Sequence, residues 1–390
     1  MEQELRISQR AKQYPASGIR KMFDLAAQYP EAIKLTVGEP NFDTPQYIKD
    51  AAKRALDEGQ THYAPNAGTT ELREAVAAKY RKQYWEGYTK DHVIITVGAM
   101  EGLFLAMMTL LDPGDEILVP DPCFPNYYGQ ASSIGARAVH VPTYEEYDYR
   151  VQAADIEKAV TSRTRAILLN SPCNPTGAVL TKEDILAIAK VAKTHDLWVL
   201  TDEPYDAIVY DGIQPYSMAQ VPEMQDRVMV LNSFSKSYAM TGLRVGYICG
   251  PREIMEQIYK VHQYEILCAS VTSQYGAIAA LKYCDDDVKA MYDEYAARRE
   301  MVYEGLKKIG LSVFKPKGAF YIFPDISITG MDDEEFADRL LKEEKVGVVP
   351  GSCFGPQGKN HIRISYAASR ENLAEALKRI GHFVDKYRKN

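Results

Sequence analysis

Cysteine is sparse and scattered in this chain. Its six cysteines, Cys123, Cys173, Cys249, Cys268, Cys284 and Cys353, include no Cys-x-x-Cys pair. That excludes the usual zinc spacings and a disulfide framework, and predicts reduced thiols, a cytoplasmic location and no metal. Positive charge is not in excess either. The 46 Lys and Arg against 53 Asp and Glu leave a net charge of −7, so nucleic acid is not an expected partner. The first thirty residues carry Glu2, Glu4, Arg6, Arg10, Lys12, Arg20 and Lys21 without an apolar core, so no export signal is read there. Long apolar runs are lacking as well. The nearest approach to a membrane span, residues 93–111, contains Glu101, and a mid-bilayer carboxylate costs about 2.5–3.5 kcal/mol. Gly98 and Gly102 break that run into strand, turn and helix, and no membrane association is expected. There is no internal repeat and no low-complexity stretch. With 390 residues, 46% of them hydrophobic and 25% charged, the composition is that of an ordinary globular chain long enough for two domains.

What is present is organised around residues 232–246, Asn-Ser-Phe-Ser-Lys-Ser-Tyr-Ala-Met-Thr-Gly-Leu-Arg-Val-Gly. The apolar run before it, residues 228–231, reads as a buried strand of a sheet covered on both faces, which delivers Lys236 to a loop at the strand's carboxyl end. In open α/β sheets ligands bind there. A lysine that is to add to a carbonyl needs a deprotonated amine near neutral pH, which desolvation and nearby positive charge arrange. Arg244 supplies such charge and is suited to fork onto a phosphate, for which the hydroxyls of Ser233 and Ser235 are further donors. The same composition also fits a basic, serine-rich surface turn.

The remaining elements follow an α/β order. Residues 33–37 alternate as a strand and stop at Gly38-Glu39-Pro40-Asn41. Helices are expected over residues 47–58 and 70–85, joined by a loop that begins at Tyr63. Residues 93–97 read as a strand, Gly98-Ala99-Met100 as a tight turn and residues 101–111 as a helix. Such a turn aims main-chain N–H groups, here around Ala99 and Met100, at an anion near the positive helix end, although it is also the ordinary connection of a βαβ unit. Strands are expected over residues 117–120, 136–141, 164–170, 198–202 and 246–250, with a helix over 181–195 that starts on Thr181. Asp202 closes its strand as a carboxylate that needs a partner if buried. Residues 252–280 read as largely helical, Asp285-Asp286-Asp287 as a polar break and residues 288–309 as a long helix. From residue 311 the texture changes to short strands, at Val313 and over 321–323, 346–349 and 362–365, with two helices, as in a small α/β domain. Arg363 lies inside the last of these strands, and a buried arginine is rarely unpaired.

Ser-Phe-Ser-Lys-Ser at residues 233–237, followed by Gly242, Arg244 and Gly246, resembles the pyridoxal-phosphate lysine motif of class I and II aminotransferases, the fold-type I family. Further motifs recur in family order from about residue 17 to residue 363. The resemblance implies a large domain, residues 46–284, with a mostly parallel seven-stranded sheet between helices. A smaller α/β domain comes from both termini, with the arm and small-domain part at residues 1–45 and the rest at 285–390. It implies pyridoxal 5'-phosphate as cofactor, small amino acid and 2-oxo acid substrates, and a homodimer with shared active sites.

Roles are transferred residue by residue. Lys236 holds the cofactor and moves the α-proton. Asp202 faces the pyridine nitrogen and keeps it protonated. Asn174, in Asn-Pro-Thr-Gly, and Tyr205 bond the phenolic oxygen, although Pro204 departs from the common Asp-Glu-(Ile/Val)-Tyr and restrains the backbone there. Phe124 stands where an aromatic ring stacks on the pyridine, and packing within the core is its other reading. Ser233, Ser235, Arg244 and the main chain at Ala99 and Met100 hold the phosphate, where many relatives have Ser or Thr side chains in place of the last two. Tyr63 reaches the phosphate of the neighbouring subunit. The main chain of Gly38, together with Arg363, takes the substrate α-carboxylate. A structural ion pair is the alternative for Arg363.

Dicarboxylate-specific relatives lend an arginine from the segment just before the motif that here reads Cys268-Ala269-Ser270. This chain has Val261-His262-Gln263-Tyr264-Glu265-Ile266-Leu267 there. Without an arginine, and with Tyr264 and Ile19 offering amphipathic and apolar surface, the segment resembles that of bacterial aromatic and N-acetyl-diaminopimelate aminotransferases. The expected reaction is therefore transfer of an amino group from an aromatic or N-acyl-diaminopimelate-type L-amino acid to a 2-oxo acid such as 2-oxoglutarate. Aspartate-type or broad specificity is one alternative and a β-elimination C–S lyase, built from the same parts, is another. A cofactor-sensing regulator would need a DNA-binding module, and only about thirty residues precede the first strand.

Overall fold

A computed structural model of the chain describes residues 18–389 together with Ile7, Ser8, Ala11, Lys12 and Tyr14. The arm expected at the start, including Ser17, therefore falls largely outside the described residues. The main sheet has seven strands: β2 (Val93–Thr96), β3 (Glu116–Asp121), β4 (Arg137–Pro142), β5 (Thr164–Asn170), β6 (Trp198–Asp202), β7 (Val228–Ser233) and β8 (Gly246–Cys249). Their order across the sheet is β2-β8-β7-β6-β5-β3-β4. β8 runs antiparallel to both of its neighbours, and the other pairings are parallel.

Every residue of β2, β7 and β8 is buried, as a sheet covered on both faces requires. Side chains that alternate along each strand feed two separate cores. Ile95, Ile167, Val199 and Val230 pack on one face with Leu72, Val76 and Tyr80 of the helix Thr70–Gln83. Ile94, Leu168, Leu200, Leu231 and Ile248 pack on the other with Leu103 and Leu105 of the helix Ala99–Leu110.

A third core joins the two ends of the chain. Met22 and Ala26 of the helix Gly18–Ala27 and Leu35 pack with Tyr295, Leu306, Phe320, Phe336, Leu340 and Phe383. The strands here are short: β1 (Ile33–Lys34) pairs in parallel with β10 (Val346–Gly347), and β11 (Val349–Pro350), β12 (Ile362–Ser365) and β9 (Tyr321–Ile322) form an antiparallel three-stranded sheet. The helices Asp333–Glu344 and Arg370–Tyr387 cover them.

Several elements differ from expectation for local physical reasons. The strand expected over residues 33–37 ends at Lys34, because Leu35 splits its backbone between two sheets: its N–H donates to the Gly347 carbonyl at 2.9 Å and its carbonyl accepts from the Ser365 N–H at 3.0 Å. The break expected at the aspartates 285–287 falls one residue earlier, at Cys284, between the helices Val271–Tyr283 and Asp285–Ile309. The aspartates form the first turn of the second helix, where negative charge meets the positive helix end. The helical region 252–280 is two helices, Arg252–Glu265 and Val271–Tyr283, parted where Leu267 takes φ +68°. No strand forms at Val313, and Ser312 makes only an isolated bridge to Asp325. Thr181 caps Lys182–Thr194 reciprocally with Asp184. Among the described residues no helix is long and apolar enough to cross a membrane.

Candidate active site

The parallel strands β5, β6 and β7 end side by side at Asn170, Asp202 and Ser233. Above these carboxyl ends lies a cavity of about 360 Å³, lined by Lys236, Asp202, Tyr205, Asn174, Phe124, Ser233, Ser235, Arg244, Ala99, Met100, Gly38, Arg363 and Ile19. Residues scattered over more than 300 positions of sequence thus meet in one place. Tyr63 does not join them, being 83% exposed on the surface of the single chain.

Lys236 stands in this cavity with its Nζ donating to the Gly38 carbonyl. Its amine is pushed down to about 8, chiefly by removal from water. Glu39 and Asp202 oppose that shift, while Arg363 and Arg244 reinforce it. A large fraction of the amine is therefore a free base at mildly alkaline pH, as nucleophilic addition demands. Gly38 has no room for a side chain, since a Cβ there would come 2.5 Å from the Tyr321 hydroxyl.

Asp202 is buried, and burial pushes its carboxyl up to about 6, with the Tyr127 hydroxyl and Lys236 pulling the other way. Tyr127 donates to Oδ2 at 2.6 Å, whereas Oδ1 is buried without a partner. An acceptor left unsatisfied in this way is rare and marks a place for a donor. Asn170 fixes the neighbourhood: its Nδ2 donates to the Asp202 carbonyl at 2.9 Å and its Oδ1 accepts from the Asn174 N–H at 2.9 Å. Tyr205 is buried and its hydroxyl meets that of Tyr321 at 2.8 Å, so Pro204 has not turned it away from the cavity.

The turn after β2 starts its helix at Ala99, two residues earlier than expected, with Gly98 capping it at φ +75°. That angle favours glycine, and a Cβ would also meet Arg244 Nη2 at 2.8 Å. The N–H groups at the start of this helix have no intrahelical partner, and Arg244 and the side chains of Ser233 and Ser235 line the same cavity. Behind the turn, Glu101 Oε2 accepts the Val97 N–H and pins its entry. Burial pushes the Glu101 carboxyl up to about 7 and the adjacent His262 imidazole, 3.4 Å away, down to about 4.

Arg363 is 2% exposed, and among the described residues no carboxylate pairs with it. The structural ion pair is thus replaced by neutral contacts. Nη1 donates to Asn174 Oδ1 at 3.1 Å, Nη2 to the Thr36 carbonyl at 2.6 Å, and Nε is buried without a partner. The guanidinium lies 4.6 Å from the Tyr321 ring centroid and 5.0 Å from that of Phe354. A charge held this way lacks its counter-ion.

Sequence reasoning missed Tyr127, Asn170 and Tyr321. Each is a neutral side chain, so neither charge nor spacing sets it apart from core packing or turn structure. The turn preceding Tyr127 was legible only through Phe124, three residues earlier. His195, last residue of the helix expected over 181–195, caps that helix and also contacts Glu157 at 2.6 Å.

These groups fit one kind of occupant. The unpartnered Asp202 Oδ1 asks for a buried N–H, the helix start and Arg244 ask for an anion, and Lys236 asks for a carbonyl carbon. A phosphorylated aromatic aldehyde with a ring nitrogen meets all three, which defines an enzyme of the pyridoxal-phosphate type. The particular family follows from comparison. The model of the family "Aminotransferase class I and II" matches residues 30–380, and the chain belongs to that family. It is 45% identical to "Aromatic-amino-acid aminotransferase 2" of Thermococcus litoralis over 96% of this chain and 97% of that one. It is equally 45% identical to an aspartate aminotransferase of Pyrococcus abyssi, over 93% of this chain and 94% of that one. Among solved structures, the aspartate aminotransferase of Thermus thermophilus with maleate superposes with a TM-score of 0.92 at 37% identity, over 97% of this chain and 99% of that one. The protein is a fold-type I aminotransferase that uses pyridoxal 5'-phosphate.

Proposed function

We propose that this aminotransferase takes its amino group from an aromatic or N-acyl-diamino type L-amino acid and passes it to a 2-oxo acid such as 2-oxoglutarate. The observation behind this reading is the charge inventory of the cavity. Among the described lining residues the cations are Lys236, Arg244 and Arg363 and the carboxylates are Asp202 and Glu39. With Arg244 given to a phosphate and Lys236 to a carbonyl, Arg363 alone remains, and it matches the α-carboxylate common to every donor. A second carboxylate on the side chain finds no fork and meets Glu39, whose Oε2 accepts from Thr241 Oγ1 at 3.1 Å. Ile19 and Val37 supply apolar wall instead.

The same geometry supports a role for each residue. When bound, the cofactor supplies an aldehyde for exchange with amines and a ring that accepts the electrons released as the α-proton leaves. Lys236 Nζ would hold the cofactor through its carbonyl carbon and, once freed, would serve as the base and acid for the substrate α-proton. Asp202, whose Oδ1 is unpartnered, would hold a proton on the ring nitrogen, with Tyr127 fixing the carboxylate. Arg363 already gives one nitrogen to Asn174 Oδ1, which leaves the Asn174 amide nitrogen as donor to the phenolic oxygen beside Tyr205. Phe124, on the cavity wall, would flank the ring. Ser233, Ser235, Arg244 and the N–H groups at Ala99 and Met100 hold the phosphate, and the main chain of Gly38 with Arg363 the α-carboxylate.

We place the domain boundaries at residues 45/46 and 284/285, on either side of the large-sheet core. We also propose a cytoplasmic homodimer. Its support is that Tyr63 and Tyr264 are 83% and 88% exposed and Leu267 50% exposed, an arrangement that suits residues offered to a second copy, with Tyr63 completing its phosphate site.

A donor panel tests the substrate reading. kcat/KM for phenylalanine, tyrosine or an N-acyl-diaminopimelate should exceed that for aspartate by at least about tenfold, roughly 1.4 kcal/mol in transition-state binding. Aspartate as the best donor would overturn it. Arg363→Lys tests the carboxylate role, because a point charge cannot replace a planar fork. KM for the donor should rise by at least about tenfold while cofactor content stays intact. An unchanged KM would make Arg363 structural.

A further inference from the structure

Behind the cavity just described, and sharing no lining residue with it, is a second cavity of about 690 Å³ into which Lys79, Glu203 and Asp206 face. Asp206 follows Tyr205 directly and comes four residues after Asp202. Its Oδ2 accepts from Asn232 Nδ2 at 3.1 Å and from Lys79 Nζ at 2.7 Å, and its Oδ1 accepts from Ser237 Oγ at 3.3 Å. Asn232 in turn accepts the Ser233 N–H on its Oδ1 at 2.7 Å. One carboxylate therefore holds the chain on both sides of Lys236, four residues before it and one after it, and ties that loop to the turn carrying Asp202 and Tyr205.

Lys79, from the helix Thr70–Gln83, supplies the counter-charge. Burial works against its ammonium, yet Asp206 beside it holds the group well above its ordinary value. Ion pairing alone would need only these two residues. The bonds to Asn232 and Ser237 go further, since they converge on the one loop whose position fixes the reactive amine.

We propose that Asp206 is a positioning residue for Lys236, holding the lysine loop in register with the Asp202–Tyr205 turn from the far side of the sheet. Lys79 balances the carboxylate's charge, and Asn232 and Ser237 transmit its hold. Loosening the loop admits water to Lys236. Burial is the largest cause of the depressed amine, and the charged groups that face it, Glu39, Arg363, Arg244 and Asp202, are untouched by changes at Asp206. Water admitted there favours the charged form of the Lys236 nitrogen, whether free or joined to the cofactor, so that it holds its proton more tightly.

The test uses the cofactor-loaded enzyme and rests on Lys236 carrying the cofactor. Asp206→Ala should lower kcat at least tenfold with donor KM within threefold of the wild type. It should also move the pH midpoint of the visible cofactor band upward by at least about half a unit, a factor of three in proton affinity. Ser237→Ala, which removes a single hydroxyl and leaves the ion pair, should move the midpoint in the same direction by a smaller amount. Lys79→Met should lower the melting temperature but change kcat less than threefold, because both loop bonds remain. If Asp206→Ala and Lys79→Met lower the melting temperature alike and neither Asp206→Ala nor Ser237→Ala moves the midpoint, the carboxylate only braces the helix and the proposal is wrong. A cofactor band that survives Lys236→Ala would sink the Lys236 reading and this one with it.

Discussion

Lys236→Ala is expected to lose the visible absorbance of lysine-linked cofactor and to lose turnover by at least about 10⁴-fold, the combined loss of a covalent anchor and a general base. The expectation rests on position. Among the described residues that line the cavity above β5, β6 and β7, Lys236 is the one lysine, and burial together with Arg244 and Arg363 depresses its amine to about 8. An alanine removes the only amine poised there and leaves Asp202 and the helix start at Ala99 unchanged. Cofactor should still bind through its phosphate, so the variant should take up pyridoxal phosphate reversibly and show the spectrum of the free aldehyde. Retention of both the band and turnover would show that another group does the chemistry.

Asp202→Asn is expected to separate binding from catalysis. The wild-type carboxyl is raised to about 6 by burial and so remains largely ionised at neutral pH, held by Tyr127 on one oxygen and unpartnered on the other. An amide of the same size keeps the packing but carries no charge to retain a proton on the ring nitrogen. Turnover should fall by about 10²–10³-fold, or roughly 3–4 kcal/mol, the scale of removing one preorganised electrostatic partner. The visible band should persist, and the melting temperature of the cofactor-free protein should hold or rise, because an uncompensated buried charge has been removed. Turnover within threefold of the wild type would remove Asp202 from the mechanism.

Much of this site was legible before any coordinates, because its ionisable members stand at places where chemistry leaves a mark. Asp202 ends a strand and Lys236 follows one by three residues, both after apolar runs that are easily read, and Arg363 is a charge inside an apolar strand. The helix start at Ala99 follows from a strand meeting a glycine, although its extension to Ala99 depends on the φ of Gly98, which no pattern of polarity encodes. Tyr127, Asn170 and Tyr321 were illegible for the opposite reason: they are neutral, and their function lies in hydrogen bonds that only the assembled fold creates. The strand at residues 33–37 shows a similar limit. Its alternation is real, but Leu35 bonds to Gly347 on one side and Ser365 on the other, more than 300 residues away. The break read at the aspartates 285–287 falls one residue late, because a run of like charge marks a helix start as readily as a break. Tyr63 and Tyr264 were singled out through resemblance and stand exposed on the single chain, where their proposed roles call for a second copy.

The central claim is that Lys236 is the residue to which the cofactor is covalently joined. Borohydride reduction of the cofactor-loaded enzyme fixes that carbon–nitrogen bond, and peptide mass spectrometry then locates it. The account predicts a pyridoxyl-phosphate adduct on the peptide containing Lys236 and none in the Lys236→Ala variant. An adduct on Lys79 or any other lysine, with Lys236 unmodified, would contradict it.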